Sequence, residues 1–315
     1  MSLNSNSINL YHIKSIYENN GNINCVSVFP SGNIISVTWN GSIIIYNLNF
    51  NIIQTIKTND NDILYISIKD ENNFITCSRD KYIKIWKKIS NKFELFQIIK
   101  NAHTKWIYKV LYLNNLIISC SNDKNIKIWE INKDNKYQCI TILSCLNSIY
   151  SFLLLKEKNI LITSGKEGTR FWDIITYKNI LYIENAKCYL WNALDNIDND
   201  KIIVGGEFSN FIIKIISISE KKIIKEIKND FWCFCINVIK DKKIILIGGD
   251  SNNINIYNYN FECINKIQNA HDKSINGFIK IKNNLICSFS NDGNLKIWSF
   301  NKININLNWK DILFK

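Results

Sequence analysis

The sequence predicts an all-β protein, a seven-bladed β-propeller whose blades are four-stranded antiparallel sheets. Two observations support this prediction. The 315-residue chain divides into seven units of about 40–44 residues, and each unit contains four short β-branched runs separated by polar turns. No stretch has the apolar spacing of a long amphipathic helix. We therefore expect one domain covering residues 1–315.

The repeat is clearest at the end of the third run of each unit. The segments SRDKYIKIW, SNDKNIKIW and SGKEGTRFW end in Trp86, Trp129 and Trp172, which are 43 residues apart. Tyr257 and Trp298 end two further units at a spacing of 41 residues. The predicted units are 8–48, 49–88, 89–131, 132–174, 175–218, 219–258 and 259–300, followed by a tail at 301–315.

One unit shows the plan of four strands. Its runs lie at 107–110, 116–121, 126–129 and 137–142, and a polar turn occupies 122–125. Such a sheet cannot bury both faces alone, whereas radial stacking of sheets leaves only short, protected edges. We expect the N-terminal run 8–16 to close the ring on the last unit. The C-terminal run 303–309 is the alternative for that edge.

The S-x-D-x-x-I-x-I-W pattern, with His103 and His271 upstream of it in two units, resembles the WD40 repeat family. The resemblance implies a structural tetrad that links His103, a serine at 119 or 121, Asp123 and Trp129. In the last unit it implies His271, Ser288 or Ser290, Asp292 and Trp298. We assign the hydroxyls to Ser121 and Ser290, and we place Asp80 and Trp86 at the equivalent positions of unit two.

Two units depart from this pattern. Unit four has Lys166 where the turn aspartate belongs, and unit five has Glu207 and Phe208 in place of the turn. Unit five also lacks a tryptophan at the end of its third strand. We expect these blades to be less rigid, and unit five is the most degenerate.

The formal net charge of +12 raises the question of nucleic-acid binding. Only Arg79 and Arg170 are arginines, and the lysines are scattered along the sequence. Lysine, isoleucine and asparagine all have AT-rich codons, so we interpret their high frequency as a bias of the genome. Specific nucleic-acid sites favour the bidentate fork of arginine. A solvated lysine surface is therefore the preferred interpretation, and a nucleic-acid-associated propeller that uses its basic lysine surface is the alternative.

Catalytic and metal motifs are absent from the sequence. The ten cysteines form no CxxC pair, and we interpret them as buried structural thiols. No nucleophile elbow, phosphate loop or HExxH motif occurs. His12 lies in the expected closing strand, while the acidic side chains of Asp60, Asp62 and Glu207 occupy unlike places in different units. We predict no enzyme activity, no cofactor and no metal.

Aromatic residues recur near the start of the first strand, at the rim of the expected ring. Rim aromatics are preferred anchors at protein interfaces, although packing between blades is the alternative. The predicted contact residues are Trp106, Tyr108, Tyr150, Tyr189, Trp191, Trp232 and Phe234.

These features together predict a non-catalytic scaffold or adaptor that holds protein or peptide partners on its rim within a larger complex. We expect it to be monomeric when alone. The sequence shows no signal peptide and no long apolar run, so we expect a cytoplasmic or nuclear location without membrane insertion.

Overall fold

A computed structural model describes residues 8–17, 21–58, 62–206, 210–281 and 285–302. These residues form seven four-stranded antiparallel sheets. Blade 1 contains β2 (Ile23–Val28), β3 (Ile34–Thr38), β4 (Ser42–Tyr46) and β5 (Ile52–Lys57). Blade 2 contains β6 (Ile63–Asp70), β7 (Asn73–Ser78), β8 (Ile83–Ile89) and β9 (Lys92–Ile99). Blade 3 contains β10 (Ile107–Leu113), β11 (Leu116–Ser121), β12 (Asn125–Ile131) and β13 (Tyr137–Ser144).

The other four blades follow the same order. Blade 4 contains β14 (Ile149–Leu155), β15 (Ile160–Gly165), β16 (Gly168–Asp173) and β17 (Asn179–Ile183). Blade 5 contains β18 (Leu194–Asn196), β19 (Lys201–Val204), β20 (Ile212–Ser217) and β21 (Lys222–Lys228). Blade 6 contains β22 (Cys233–Ile239), β23 (Ile244–Gly249), β24 (Ile254–Asn258) and β25 (Cys263–Ile267). Blade 7 joins β26 (Ile275–Lys280), β27 (Leu285–Ser290) and β28 (Asn294–Ser299) to β1 (Tyr11–Tyr17).

The blades form a closed ring. Each innermost strand contacts the next one in chain order, and β26 contacts β2. The core lies between neighbouring blades: Phe74 and Trp86 of blade 2, for example, share a buried cluster with Ile35 and Ile43 of blade 1. The inner strands are therefore mostly buried, whereas the outer strand β5 alternates between exposed and half-buried residues. The fold is the predicted all-β seven-bladed propeller.

The N-terminal strand closes the ring, as expected. Strand β1 pairs antiparallel with β28, from Tyr11 opposite Ser299 to Tyr17 opposite Asn294. The last blade therefore contains strands from both ends of the described chain. The alternative closing run 303–309 lies outside the described residues, as do Asp60, Glu207 and Phe208.

Six of the seven innermost strands carry a bulge at the same place. The pairing of β2 with β3 skips Asn24, and the equivalent irregularity occurs in β6, β10, β14, β22 and β26. A bulge re-aims the side chain of the extra residue. The bulged positions are occupied by Asn24, Leu64, Tyr108, Tyr150, Phe234 and Asn276.

Helical structure is minimal in the described part of the chain. It consists of two three-residue 3₁₀ turns, Lys156–Lys158 and Lys240–Lys242, each between the first two strands of a blade. None of the described helices is long and apolar enough to cross a bilayer.

Candidate functional site

Two buried hydrogen-bonded chains connect a histidine, a serine, an aspartate and a tryptophan. In blade 3, Trp129 Nε1 donates to Ser119 Oγ over 2.9 Å, and Ser119 Oγ lies 2.8 Å from His103 Nε2. His103 Nδ1 lies 2.9 Å from Asp123 Oδ2. Blade 7 repeats the arrangement with Trp298, Ser288, His271 and Asp292 at 2.7–2.8 Å.

The assignment of Ser121 and Ser290 to these tetrads is wrong. Ser119 pairs across the sheet with Lys127, two residues from Trp129 on the same strand face, so its hydroxyl reaches the indole. Ser121 lies two residues further towards the turn. It donates to Trp106 O over 2.8 Å and accepts from Asp123 N, and Ser290 makes the equivalent bonds to Ser274 O and Asp292 N.

The electrostatics of the blade 3 tetrad favour a neutral histidine and an ionised aspartate. Burial lowers the pKa of His103, although the Asp123 carboxylate partly opposes this change. Burial alone would raise the pKa of Asp123, but His103 and the backbone N–H groups of Thr104 and Asn125 outweigh it and lower that pKa to about 2. The proton of His103 Nδ1 therefore points to Asp123, and Nε2 accepts from Ser119.

A serine, a histidine and an aspartate in hydrogen-bond contact are also the elements of a hydrolytic triad. Here the oxygen of Ser119 already accepts the Trp129 indole proton, and Ser119 is completely buried. A nucleophile must reach its substrate, so this tetrad is structural.

Blades 2 and 4 keep only part of the tetrad. Trp86 Nε1 donates to Thr76 Oγ1, and Trp172 Nε1 donates to Thr163 Oγ1, each over 2.9 Å. Asp80 contacts Ser78 Oγ, the backbone N–H of Tyr82 and the Lys84 ammonium group. In blade 4, Glu167 follows Lys166; its carboxylate accepts from Leu146 N over 2.8 Å and pairs with Arg170 over 2.7 Å.

The predicted rim aromatics gather on one face of the ring, but they are not equally accessible. Trp106 is 40% exposed, whereas Tyr108 is only 6% exposed. The prediction that Tyr108 is an exposed rim residue is wrong, because its ring stacks on Tyr150 at 4.6 Å and on Trp191 at 6.2 Å. The half-buried members are Tyr150, Tyr189, Trp191, Trp232 and Phe234.

Sequence reasoning missed two residues of this face, Trp39 and Arg79. The Arg79 guanidinium lies 4.5 Å from the ring centre of Trp39 and 4.2 Å from that of Trp106, and Arg79 Nη1 pairs with Asp62 Oδ2 over 2.8 Å. Trp39 is 43% exposed. Its position after the second strand of blade 1 was an available signal, because loops between second and third strands also form this rim. We call Trp39, Arg79 and Trp106 the tryptophan–arginine stack.

A segment of blade 5 crosses the top of the central channel. Trp191 O accepts from Ser151 Oγ of blade 4 over 2.8 Å, and Lys109 Nζ of blade 3 lies 3.4 Å from it. On the opposite side, Asn192 Nδ2 donates to Asn276 O of blade 7 over 2.8 Å. We call residues 187–193 the channel plug. The plug stands where the other blades have the bulged start of the innermost strand, and β18 is correspondingly short.

The charged residue beneath the plug, Lys109, is half-buried. The Lys109 ammonium group lies 5.1 Å from the ring centre of Tyr65 and 5.7 Å from that of Phe152. Burial lowers the pKa of Lys109, and the carboxylate of Asp195 is among the groups that oppose this change. Lys109 therefore acts as an internal tie between the plug and the ring.

A concavity of about 160 Å³ opens beside the plug at the mouth of the channel. A larger depression of 590 Å³ lies along the third and fourth strands of blade 5 at Asn210–Ile212, Glu226 and Lys228, and none of the predicted rim aromatics lines it. We take the smaller one as the candidate site, because it adjoins the tryptophan–arginine stack. We call it the mouth concavity, and it is lined by Asn24, Trp39, Leu190, Trp191, Phe234, Asn276 and Asn291.

The cysteines do not form a metal site among the described residues. No group of three or more His, Cys, Asp and Glu side chains in those ranges could hold a metal ion. None of the ten cysteines forms a disulfide. Seven are buried and Cys145 is half-buried, but Cys139 and Cys263 are exposed, so the prediction of buried thiols is wrong for those two. Burial raises the pKa of Cys25 to about 12. A thiol in that state is a poor ligand and a poor nucleophile at neutral pH.

Comparison with known proteins gives two results. The WD domain, G-beta repeat family model matches residues 11–47, 50–87 and 95–130. A p21-activated protein kinase-interacting protein 1-like protein from Danio rerio is 27% identical over 177 residues, which cover 53% of this chain and 45% of that relative. The aligned region is therefore less than half of the relative's length. The chain therefore contains three consecutive matches to the WD40 repeat, and its described residues form a closed ring of seven four-stranded blades.

Proposed function

We propose that this protein is a non-catalytic interaction scaffold or adaptor, which holds a protein or peptide partner on the face that carries the tryptophan–arginine stack. The observation that supports this most directly is the pair of exposed tryptophans, Trp39 and Trp106, on either side of Arg79. Tryptophan, tyrosine and arginine are the residue types that dominate binding energy at protein interfaces.

The face is preorganised for binding. Arg79 is held by Asp62 and by both tryptophan rings, so little side-chain freedom is lost when a partner covers it. The channel plug supports the centre of the face from below through Lys109, Ser151 and Asn276.

Fold and relatives agree with a binding role. WD40 propellers generally mediate protein–protein interactions, and the Danio rerio relative is named as an interacting protein. Among the described residues, the two serine–histidine–aspartate arrangements that could suggest hydrolysis belong to the tetrads, and their serines are completely buried. We therefore also propose that the protein is not an enzyme.

We further propose a cytoplasmic or nuclear location and a monomer that joins a larger complex. The ten cysteines form no disulfide, which suits a reducing compartment. Imaging of a fluorescent fusion and the mass of the purified chain in solution test these two points.

The main experiment compares affinity purifications of the tagged full chain, its Trp106→Ala variant and an Ile175→Ala control. Ile175 is 69% exposed on an outer loop and belongs to neither the stack nor the concavity. We expect a reproducible partner with the wild type and the control, and about 30-fold or greater weakening of the reconstituted complex with Trp106→Ala. Equal recovery of every partner by all three proteins contradicts the proposed binding face.

A further inference from the structure

The mouth of the channel has two chemically different halves. The bulged positions of blades 3, 4 and 6 carry the aromatic residues Tyr108, Tyr150 and Phe234, whereas those of blades 1 and 7 carry Asn24 and Asn276. The mouth concavity lies where the two halves meet, so one wall is apolar and the other presents amides.

We infer that the mouth concavity binds an uncharged, extended segment of a partner peptide and receives one large apolar side chain from it. This inference rests on the proposed function, since it names the partner chemistry for the same face. It adds a location, the side of the plug next to Trp39, and a preference for uncharged residues.

The apolar wall sets the first requirement. Trp39, Leu190, Trp191 and Phe234 supply rings and an aliphatic side chain, and none of the described lining residues is charged, although the chain has 39 lysines and arginines. A charged group entering this space would lose its hydration without meeting an opposite charge. The surface therefore matches a neutral occupant.

The amide wall sets the second requirement. Asn24 Nδ2 donates to Ile63 O over 2.9 Å, and Asn276 Nδ2 donates to Ile23 O over 2.8 Å. Both partners are backbone carbonyls, which only accept, so each side-chain NH2 group must face them. Within the described chain neither Asn24 Oδ1 nor Asn276 Oδ1 is bonded to a donor. An occupant that supplies N–H groups, as an extended backbone does, complements these two acceptors.

Size and rigidity agree with a single anchoring side chain. An apolar cavity of about 150 Å³ admits a benzene ring, and the mouth concavity encloses about 160 Å³. The plug that lines it through Leu190 and Trp191 is held in place by the next residue, Asn192, whose backbone oxygen accepts from Ile236 N over 2.9 Å while its side chain bonds to blade 7. The site is therefore formed before the partner arrives, which lowers the entropic cost of binding.

The test uses a phage-displayed pool of random dodecapeptides, selected on the full chain. A fluorescein-labelled copy of an enriched peptide is then titrated by anisotropy against the wild type, Trp39→Ala and Trp106→Ala. The two variants are matched, because both tryptophans stack on Arg79 and are 43% and 40% exposed, but only Trp39 lines the concavity. Thermal melts of all three proteins control for loss of the fold.

We expect enriched peptides that share one large apolar residue flanked by uncharged ones. Trp39→Ala should weaken their binding by about 10-fold or more, and Trp106→Ala by less than about 3-fold. A second variant, Asn291→Asp, keeps the oxygen that accepts from Asn276 over 2.6 Å but adds a negative charge to the wall. Selection on this variant should shift the enriched peptides towards lysine and arginine.

Three results would overturn the inference: a charged consensus on the wild type, a loss of binding with Trp106→Ala alone, or no peptide that distinguishes Trp39→Ala from the wild type. None of these depends on the native partner. If the purification still yields a partner that requires Trp106, the proposed function stands and only the mouth concavity is excluded.

Discussion

Replacement of Ser119 by alanine gives the sharpest test of the tetrad. The hydroxyl of Ser119 bonds to two groups at once, because it accepts from Trp129 Nε1 and donates to His103 Nε2. Ser119→Ala leaves both nitrogens unpaired in an interior that water does not reach, since Ser119 is 0% and His103 1% exposed. Each unpaired buried group costs about 1–3 kcal/mol, so we expect a loss of about 2–5 kcal/mol in the free energy of unfolding.

Ser121→Ala is the matched control, since it removes the same atom two residues further along the same strand. Ser121 is itself 0% exposed, but its hydroxyl serves Trp106 O and Asp123 N, the backbone of an exposed and a half-buried rim residue. We expect it to cost about 1 kcal/mol. Ser288→Ala and Ser290→Ala repeat the comparison in the last blade, where the same bonds recur.

The assay is urea denaturation followed by tryptophan fluorescence, with unfolding rates measured as well in case refolding is incomplete. Trp129→Phe removes the indole donor, so the double variant with Ser119→Ala should cost less than the sum of the two single variants. The reasoning fails if Ser119→Ala is no more destabilising than Ser121→Ala, or if the two single effects simply add.

Three further outcomes follow from other contacts. The pKa of Asp123 is lowered to about 2 in the folded protein, whereas an unfolded aspartate titrates near ~3.9. The ionised carboxylate therefore stabilises the fold fully above pH ~4, and this contribution is lost as the pH falls towards 2. The urea midpoints of Asp123→Asn and the wild type should differ less at pH 2.5 than at pH 6. Arg79→Lys should weaken both tryptophan contacts, since an ammonium group lacks the planar face of a guanidinium. We expect a red shift of tryptophan emission and a loss of about 1 kcal/mol in the free energy of unfolding. An unchanged emission spectrum would contradict the stack. Lys109→Met removes a bond to Trp191 O, so amide hydrogen exchange should accelerate in residues 187–193 and not in β20. Equal exchange rates in residues 187–193 of Lys109→Met and the wild type would contradict the proposed role of Lys109.

The blades could be predicted from the sequence because the same strand and turn patterns repeat in it. Each third strand alternates with period two and ends in a large aromatic residue or its substitute, and polar turns recur at the same distance before it, as at Asp123 and Asp292. These are local patterns, so they do not depend on knowing which blade lies beside which. The sequence also predicted that a terminal run closes the ring, but it left 303–309 as the alternative to the N-terminal run, and the pairing of β1 with β28 is a structural result.

The sequence alone could not decide whether Ser119 or Ser121 belongs to the tetrad. Both serines lie on one face of β11 and both are followed by the same turn, so their sequence contexts are equivalent. Only the cross-strand register decides which hydroxyl stands within reach of the indole. The family pattern narrowed the choice to two residues, and the distances in the folded sheet selected one.

The sequence alone determined the fold class, the number of blades, the tetrad histidines and aspartates, and the region of the rim where aromatic residues gather. Only the tertiary structure decided which of those aromatics are accessible. Tyr108 is covered by Tyr150 and Trp191, which lie 42 and 83 residues away in the chain. Trp39 and Arg79 join Trp106 from two other blades, and the channel plug takes the place of a regular strand start in blade 5. The physical reason is that strand and turn preferences act between neighbours in the chain, whereas exposure at the channel mouth depends on side chains that ring closure brings together from all seven blades.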